Sequence, residues 1–299
     1  MASLRSIRNR IRSVRSNQKI TKAMKMLSAA KLRRAQDAVI RARPYAQLIE
    51  EMLAALAEAR TRDELPPHPL MAVRPPRRVE VVMLTSDRGL AGGFNSNIIR
   101  RGQRFLTEEE GRLEKIQFST VGRRGRDFAK KRGFDTRKDY VGFFGKLSYS
   151  QAREIANDLI TAYQKDELDA VYLLYNYFRS TMAQEIMLVQ LLPLEPKPRK
   201  KEETDQTKGG FIMPEHIFEP SRPVVLQSLL PRFLAMQVWR ALLESEASEH
   251  AARMTAMDSA TKNAADMIGR LTLEYNRARQ AAITKELMEI IGGAEALKE

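Results

Sequence analysis

The chain has no cysteine, which excludes a disulfide framework, a zinc–thiolate site and a thiol switch, and is compatible with a reducing, intracellular setting. Histidine is nearly as scarce. His68, His216 and His250 are scattered and no HExxH or carboxylate cluster accompanies them, so neither a metal site nor a Ser/His/Asp arrangement can be built. His250 is expected to pack beside a polar neighbour. Aromatic residues make up only 7% of the chain, which disfavours a compact aromatic core. No run approaches the roughly 18–20 apolar residues that span a bilayer, so a soluble or at most peripheral protein is expected. Acid is absent from residues 1–34, which hold eleven Lys and Arg. That start resembles an organellar transit peptide, but its helical pattern continues to about residue 60 and reads as mature structure.

What is present points to long helices around a smaller mixed domain. In residues 1–60, apolar or small side chains recur every seven positions at Val14, Thr21, Ser28, Ala35, Ala42, Ile49 and Leu56. A second row three further on, with Met24, Ala38, Tyr45, Met52 and Ala59, predicts a narrow coiled-coil stripe, adjusted locally at Pro44. Such a helix is about 85 Å long. Residues 61–76 are a proline-rich linker. Residues 77–195 alternate β-branched runs (RVEVVMLTS, KIQFSTVG, DAVYLLYNYF, EIMLVQLLPL) with helical stretches, which predicts an α/β domain with a largely parallel sheet. Residues 196–219 form a charged, mobile connection. Residues 220–299 return to helix, with rows Ala247, Met254, Thr261, Ile268, Tyr275, Ala282 and His250, Met257, Ala264, Leu271, Ala278. Each terminal stripe is too thin to bury itself. Together they predict an antiparallel pair, a rod with a globular foot.

The segment TSDRGLAGGFNSN follows the first strand. Its G-x-x-G-G spacing is neither the dinucleotide G-x-G-x-x-G nor the P-loop G-x-x-x-x-G-K-[ST], and no Gly-Lys-Ser/Thr occurs in the chain. The glycines are read as a tight corner, and Asp87 beside Arg88 as a loop-fixing ion pair or cap. The net charge of +14 admits nucleic acid, anionic lipid or an acidic protein partner. Arg5, Arg8, Arg12, Arg15, Lys19 and Lys22 step along one helix face, yet no aromatic residue interleaves before Tyr45 to stack on a base. Near the C-terminus, Thr284, Glu286 and Glu289 are woven among Ile283, Leu287 and Ile290, with Gly292–Gly293 expected to end the helix.

Three blocks, IRNRIRSVRSNQKITKAMKMLSAAKLRRAQ, SDRGLAGGFN and ITKELMEIIGGA, make the chain resemble the gamma subunit of F-type ATP synthases, the last through the signature I-T-x-E-x-x-E-x-x-x-G-A. The resemblance covers essentially the whole chain. It implies a mixed α+β/α/β fold, in which a long antiparallel coiled coil of terminal helices carries an inserted Rossmann-like domain that binds no nucleotide. It further implies a non-catalytic rotor shaft inside three alpha and three beta subunits (3:3:1), with the epsilon subunit and the membrane c-ring as further partners. No cofactor and no nucleic acid are implied, and membrane contact is through the complex alone. By matching positions, Lys22, Met24 and Lys25 face acidic loops of beta, and Arg279, Gln280, Thr284 and Glu286 meet beta near the shaft tip. His216, Ile217, Phe218 and Glu219 lie near the c-ring. The lack of cysteine excludes the regulatory insert of the plant chloroplast form. With no separate presequence before ASLRSIRNRI, a bacterial enzyme is expected, with this subunit on the cytoplasmic face of the plasma membrane. The rival classes are a nucleic-acid-binding coiled coil and a nucleotide-dependent α/β enzyme.

Overall fold

A computed structural model describes residues 3–60, 68–194, 219 and 221–296. Two units are distinguished, one of Lys31–Ala252 and one of Met1–Ala30 with Arg253–Glu299. Two long helices contribute to both: α1, Leu4–Arg60, and α5, Arg222–Ala296.

The larger unit is built on a five-stranded sheet of β1 (Arg78–Leu84), β2 (Lys115–Val121), β3 (Thr136–Tyr140), β4 (Ala170–Phe178) and β5 (Gln184–Leu192). The spatial order is β3-β2-β1-β4-β5. The first four strands run parallel, and β5 returns antiparallel to β4. Helices α2 (Phe94–Glu109), α3 (Arg123–Arg132) and α4 (Tyr149–Gln164) are the crossovers that parallel strands require. Because the sheet is covered on both faces, β1 reads as a near-continuous apolar run instead of an alternating one. One face packs Val79, Val81, Met83 and Phe118 under Ile98 and Phe105 of α2. The other gathers Val82, Leu84 and Val121 with α4 and with buried residues of α1 (Ile49, Leu53, Leu56) and α5 (Leu230, Leu234, Leu242).

β3 carries the polar sequence TRKDY, which no apolar pattern predicts as a strand. It is held by charge. Glu80, fully buried on β1, receives the Arg137 guanidinium through Nε and Nη2 at 2.6 and 3.0 Å. Lys138 Nζ and the Tyr140 hydroxyl both reach Asp158 on α4, at 2.9 and 2.7 Å.

The predicted linker is partly structured. Pro69–Met71 forms a 3₁₀ turn whose Leu70 and Met71 enter the core, and the His68 ring accepts the Leu70 N–H at 3.2 Å. Two expectations for the helices need correction. Gly292–Gly293 do not end α5, which continues to Ala296, because glycine weakens a helix without forbidding it. The second row of α1 is displaced as well, since Tyr45 is 47% exposed while Leu32, Val39, Ala46 and Leu53 are buried. The inward rows therefore alternate by four and three, with Ile11, Gln18 and Lys25 as the partly buried members nearer the N-terminus. Polar residues at two of those positions hid the pattern. On α5, by contrast, every residue of both predicted rows is buried or half-buried.

Candidate partner interface

The carboxyl ends of parallel strands, where the strand order reverses, are the usual ligand position of an open α/β sheet. Here the reversal lies between β1 and β4, and the protein fills it. The Phe178 N–H donates to Glu244 of α5 at 3.2 Å, and the Ser248 hydroxyl to the Asn176 carbonyl at 3.1 Å. Burial pushes the Glu244 carboxyl up, while the Phe178 N–H favours its ionised form.

The corner after β1 is filled too. Asp87 accepts the N–H groups of Arg123, at the start of α3, and of Gly142 and Phe144, beyond β3, at 3.0, 3.1 and 3.3 Å. The Thr85 hydroxyl accepts from Gly125 N–H at 2.8 Å. Two N–H groups in the first turn of α3, those of Arg123 and Gly125, are thus bonded to the chain's own side chains. The glycines that permit this close approach are Gly122 and Gly125, which the spacing of Gly89, Gly92 and Gly93 did not indicate. A Cβ on either would lie 2.0 or 2.7 Å from a Thr85 oxygen. Among the described residues, no group of three or more His, Asp or Glu is gathered as metal ligands would be. His250 is buried with its Nε2 3.9 Å from Glu246.

The smaller unit offers a different surface. Polar contacts between the described residues of its helices include Arg8 to the Tyr275 hydroxyl at 2.6 Å, Thr21 to Thr261 at 2.8 Å, and Lys25 to Asp258 at 2.5 Å. As the α1 number rises the α5 number falls, so the pair is antiparallel. On α1, Arg5, Arg12, Arg15, Lys19 and Lys22 are exposed, Met24 is half-buried, and Lys25 is turned to the seam. Asp258 also lies 3.2 Å from Lys262, and these two lysines hold its carboxyl below the usual range. The sequence reading missed Asp258, although the antiparallel alignment of the two heptad rows places it opposite Lys25.

Since Arg8 meets Tyr275 and α1 begins at Leu4, α5 runs out past its partner helix. Arg279, Gln280, Thr284 and Glu286 are all exposed there. So are Ile283, Leu287, Met288, Ile290 and Ile291, each at least half accessible. Five large apolar side chains within nine residues form a patch of the kind that marks an interaction site. Of the remaining predicted positions, Glu219 is exposed, and His216, Ile217 and Phe218 lie outside the described residues.

The family described as ATP synthase matches residues 3–297. The ATP synthase gamma chain of Anaeromyxobacter sp. (strain Fw109-5) is 57% identical over 298 residues, covering 100% of both chains. The chain belongs to the ATP synthase gamma-chain family. The gamma chain of Geobacter metallireducens is 51% identical, again over 100% of each. Among solved structures, the central stalk and c-ring assembly of the Tetrahymena thermophila mitochondrial ATP synthase contains a chain with 26% identity and a TM-score of 0.61, covering 81% of this chain and 99% of that one. A chain of the Euglena gracilis mitochondrial enzyme shares the fold at a TM-score of 0.71 and 23% identity, covering 98% and 94%. As a gamma chain, the protein has long N- and C-terminal helices packed together and a central sheet. Among the described residues no helix is long and apolar enough to cross a membrane.

Proposed function

We propose that this gamma chain is the rotating central shaft of a bacterial ATP synthase and carries no catalytic site of its own. It turns inside a ring of three alpha and three beta subunits, with the ATP chemistry on beta. It meets the membrane c-ring and the epsilon subunit, and so couples ion flow to ATP synthesis or hydrolysis at the cytoplasmic face of the plasma membrane. The observation that carries this reading is the bare, apolar end of α5 in a chain whose full-length relatives are gamma chains. A surface of that kind costs free energy in water and is relieved inside a protein sleeve.

A two-helix shaft lacks threefold symmetry, so rotation turns a different face toward each beta subunit. Contact that differs between the open and closed states of a site shifts their equilibrium, and contact that does not differ shifts nothing. Lys22 and Met24 face acidic loops of beta in this reading, as the exposed basic side of α1 favours. Arg279, Gln280, Thr284 and Glu286 meet beta near the tip, while His216, Ile217, Phe218 and Glu219 approach the c-ring. Lys25, whose ammonium meets Asp258 of α5, is turned to the seam instead.

Reconstitution with alpha and beta subunits tests the assignment: a 3:3:1 complex that hydrolyses ATP cooperatively is expected, and failure to form one would sink it. Within that complex, Arg279→Ala with Gln280→Ala should lower turnover or coupling while helix content is retained. Met24→Lys adds a charge beside acidic loops and should reduce ions pumped per ATP hydrolysed. An unchanged pumping ratio would contradict the placement of Met24.

A further inference from the structure

We propose that Lys25 is a positioning residue of the shaft, clamping α1 to α5 through Asp258, so that its effect on coupling runs through that carboxylate and not through a partner subunit. The inference rests on the shaft reading above. Lys25 belongs to the inward row of α1 that continues with Leu32 and Val39, so its side chain is directed at α5 before any partner is considered. Its ammonium lies 2.5 Å from Asp258 Oδ1, and Lys262 takes the other oxygen at 3.2 Å. One turn away, the Thr21 and Thr261 hydroxyls meet at 2.8 Å.

Around these contacts the inward positions include the small groups of Ser28, Thr21, Thr261 and Ala264 beside the buried Met257. In paired helices a polar residue at an inward position contributes register more than stability. The exposure of the pair agrees, because Lys25 and Asp258 retain 43% and 33% of their side-chain surface, and half-exposed ion pairs stabilise little. Lys22, three residues earlier, is exposed and outside both inward rows. It is the lysine left free to face a partner.

The test is a charge-swap cycle in the membrane-bound enzyme, with Lys25→Asp, Asp258→Lys and the two combined. Ions pumped per ATP is the functional readout. The second readout uses the absence of cysteine, since Thr21→Cys with Thr261→Cys then gives the sole disulfide that can form within the chain, and its rate of formation with an added thiol oxidant reports seam closure. Each single change should lower the pumping ratio and slow disulfide formation by about two- to fivefold, and the swap should restore both. Lys25→Arg should behave as the parent. A swap that pumps as poorly as Lys25→Asp, with an unaltered disulfide rate in every variant, would overturn the clamp and return Lys25 to the beta interface. If the parent chain fails to assemble, the shaft reading falls instead, and the disulfide rate in the full-length chain alone still judges the clamp.

Discussion

Gly122 sits at φ +98°, and an added Cβ would lie 2.0 Å from the Thr85 carbonyl oxygen. Strain and clash act together there, so Gly122→Ala should cost about 3 kcal/mol or more, read from urea unfolding midpoints. Asp87→Ala removes the acceptor of three N–H groups on two segments, an expected loss of about 1–3 kcal/mol with faster amide exchange at Arg123, Gly142 and Phe144. Asp169 supplies a pH dependence. The Arg78 guanidinium and the backbone N–H groups of Arg77 and Arg78 hold its carboxyl below the usual range. With the folded pKa depressed, the unfolded chain takes up the proton first as pH falls. The stabilisation is therefore full above the ordinary carboxylate range, and is lost as pH falls through that range to the folded value. Asp169→Asn should flatten the acid limb of a stability–pH curve, and an unchanged limb would contradict this. At this scale the sequence was half legible. Gly89, Gly92 and Gly93 announce themselves by spacing, whereas Gly122 and Gly125 matter because a distant strand end presses on them.

The elements divide by how their burial is achieved. β1, β2, β4 and β5 are apolar enough to be read directly, but β3 is bound through the Glu80–Arg137 pair and the Asp158 group. Burial opposes ionisation of Asp158, yet hydrogen bonds from Lys138 and Tyr140 outweigh it and hold the carboxyl below its ordinary range. Arg137→Met strands a fully buried carboxylate and should cost about 3–5 kcal/mol. Glu80→Met combined with Arg137→Met should recover most of that loss, because two apolar side chains leave no unpaired charge. A double variant as unstable as Arg137→Met would show that the arginine acts through Asp158 instead. The rows of α5 were legible because apolar residues mark them at all positions but His250 and Thr261. Those of α1 were half legible, since Gln18 and Lys25 lie on the inward row.

Over the whole chain, the decisive surface is the bare end of α5. Replacing Ile283, Leu287 and Ile290 with serine should make the isolated chain less prone to associate with itself. It should also weaken its assembly with alpha and beta by about tenfold or more for each side chain that the complex buries. Sedimentation of the chain alone and titration into alpha–beta mixtures check the two halves of this prediction. Unchanged assembly would remove the tip from the interface.

Period and composition by themselves determined that two terminal helices share a thin seam, that a mostly parallel α/β domain lies between them in sequence, and that no P-loop is present. These follow from local spacing, which a sequence carries on its face. Only tertiary structure decided that α5 fills the place where such a sheet usually takes a ligand, that Asp87 ties the segments after β2 and β3 to the corner after β1, that a polar strand is held by buried charge, and that Lys25 belongs to Asp258. Each of those depends on groups far apart in the chain meeting at hydrogen-bond distance, and no single periodicity records such a meeting.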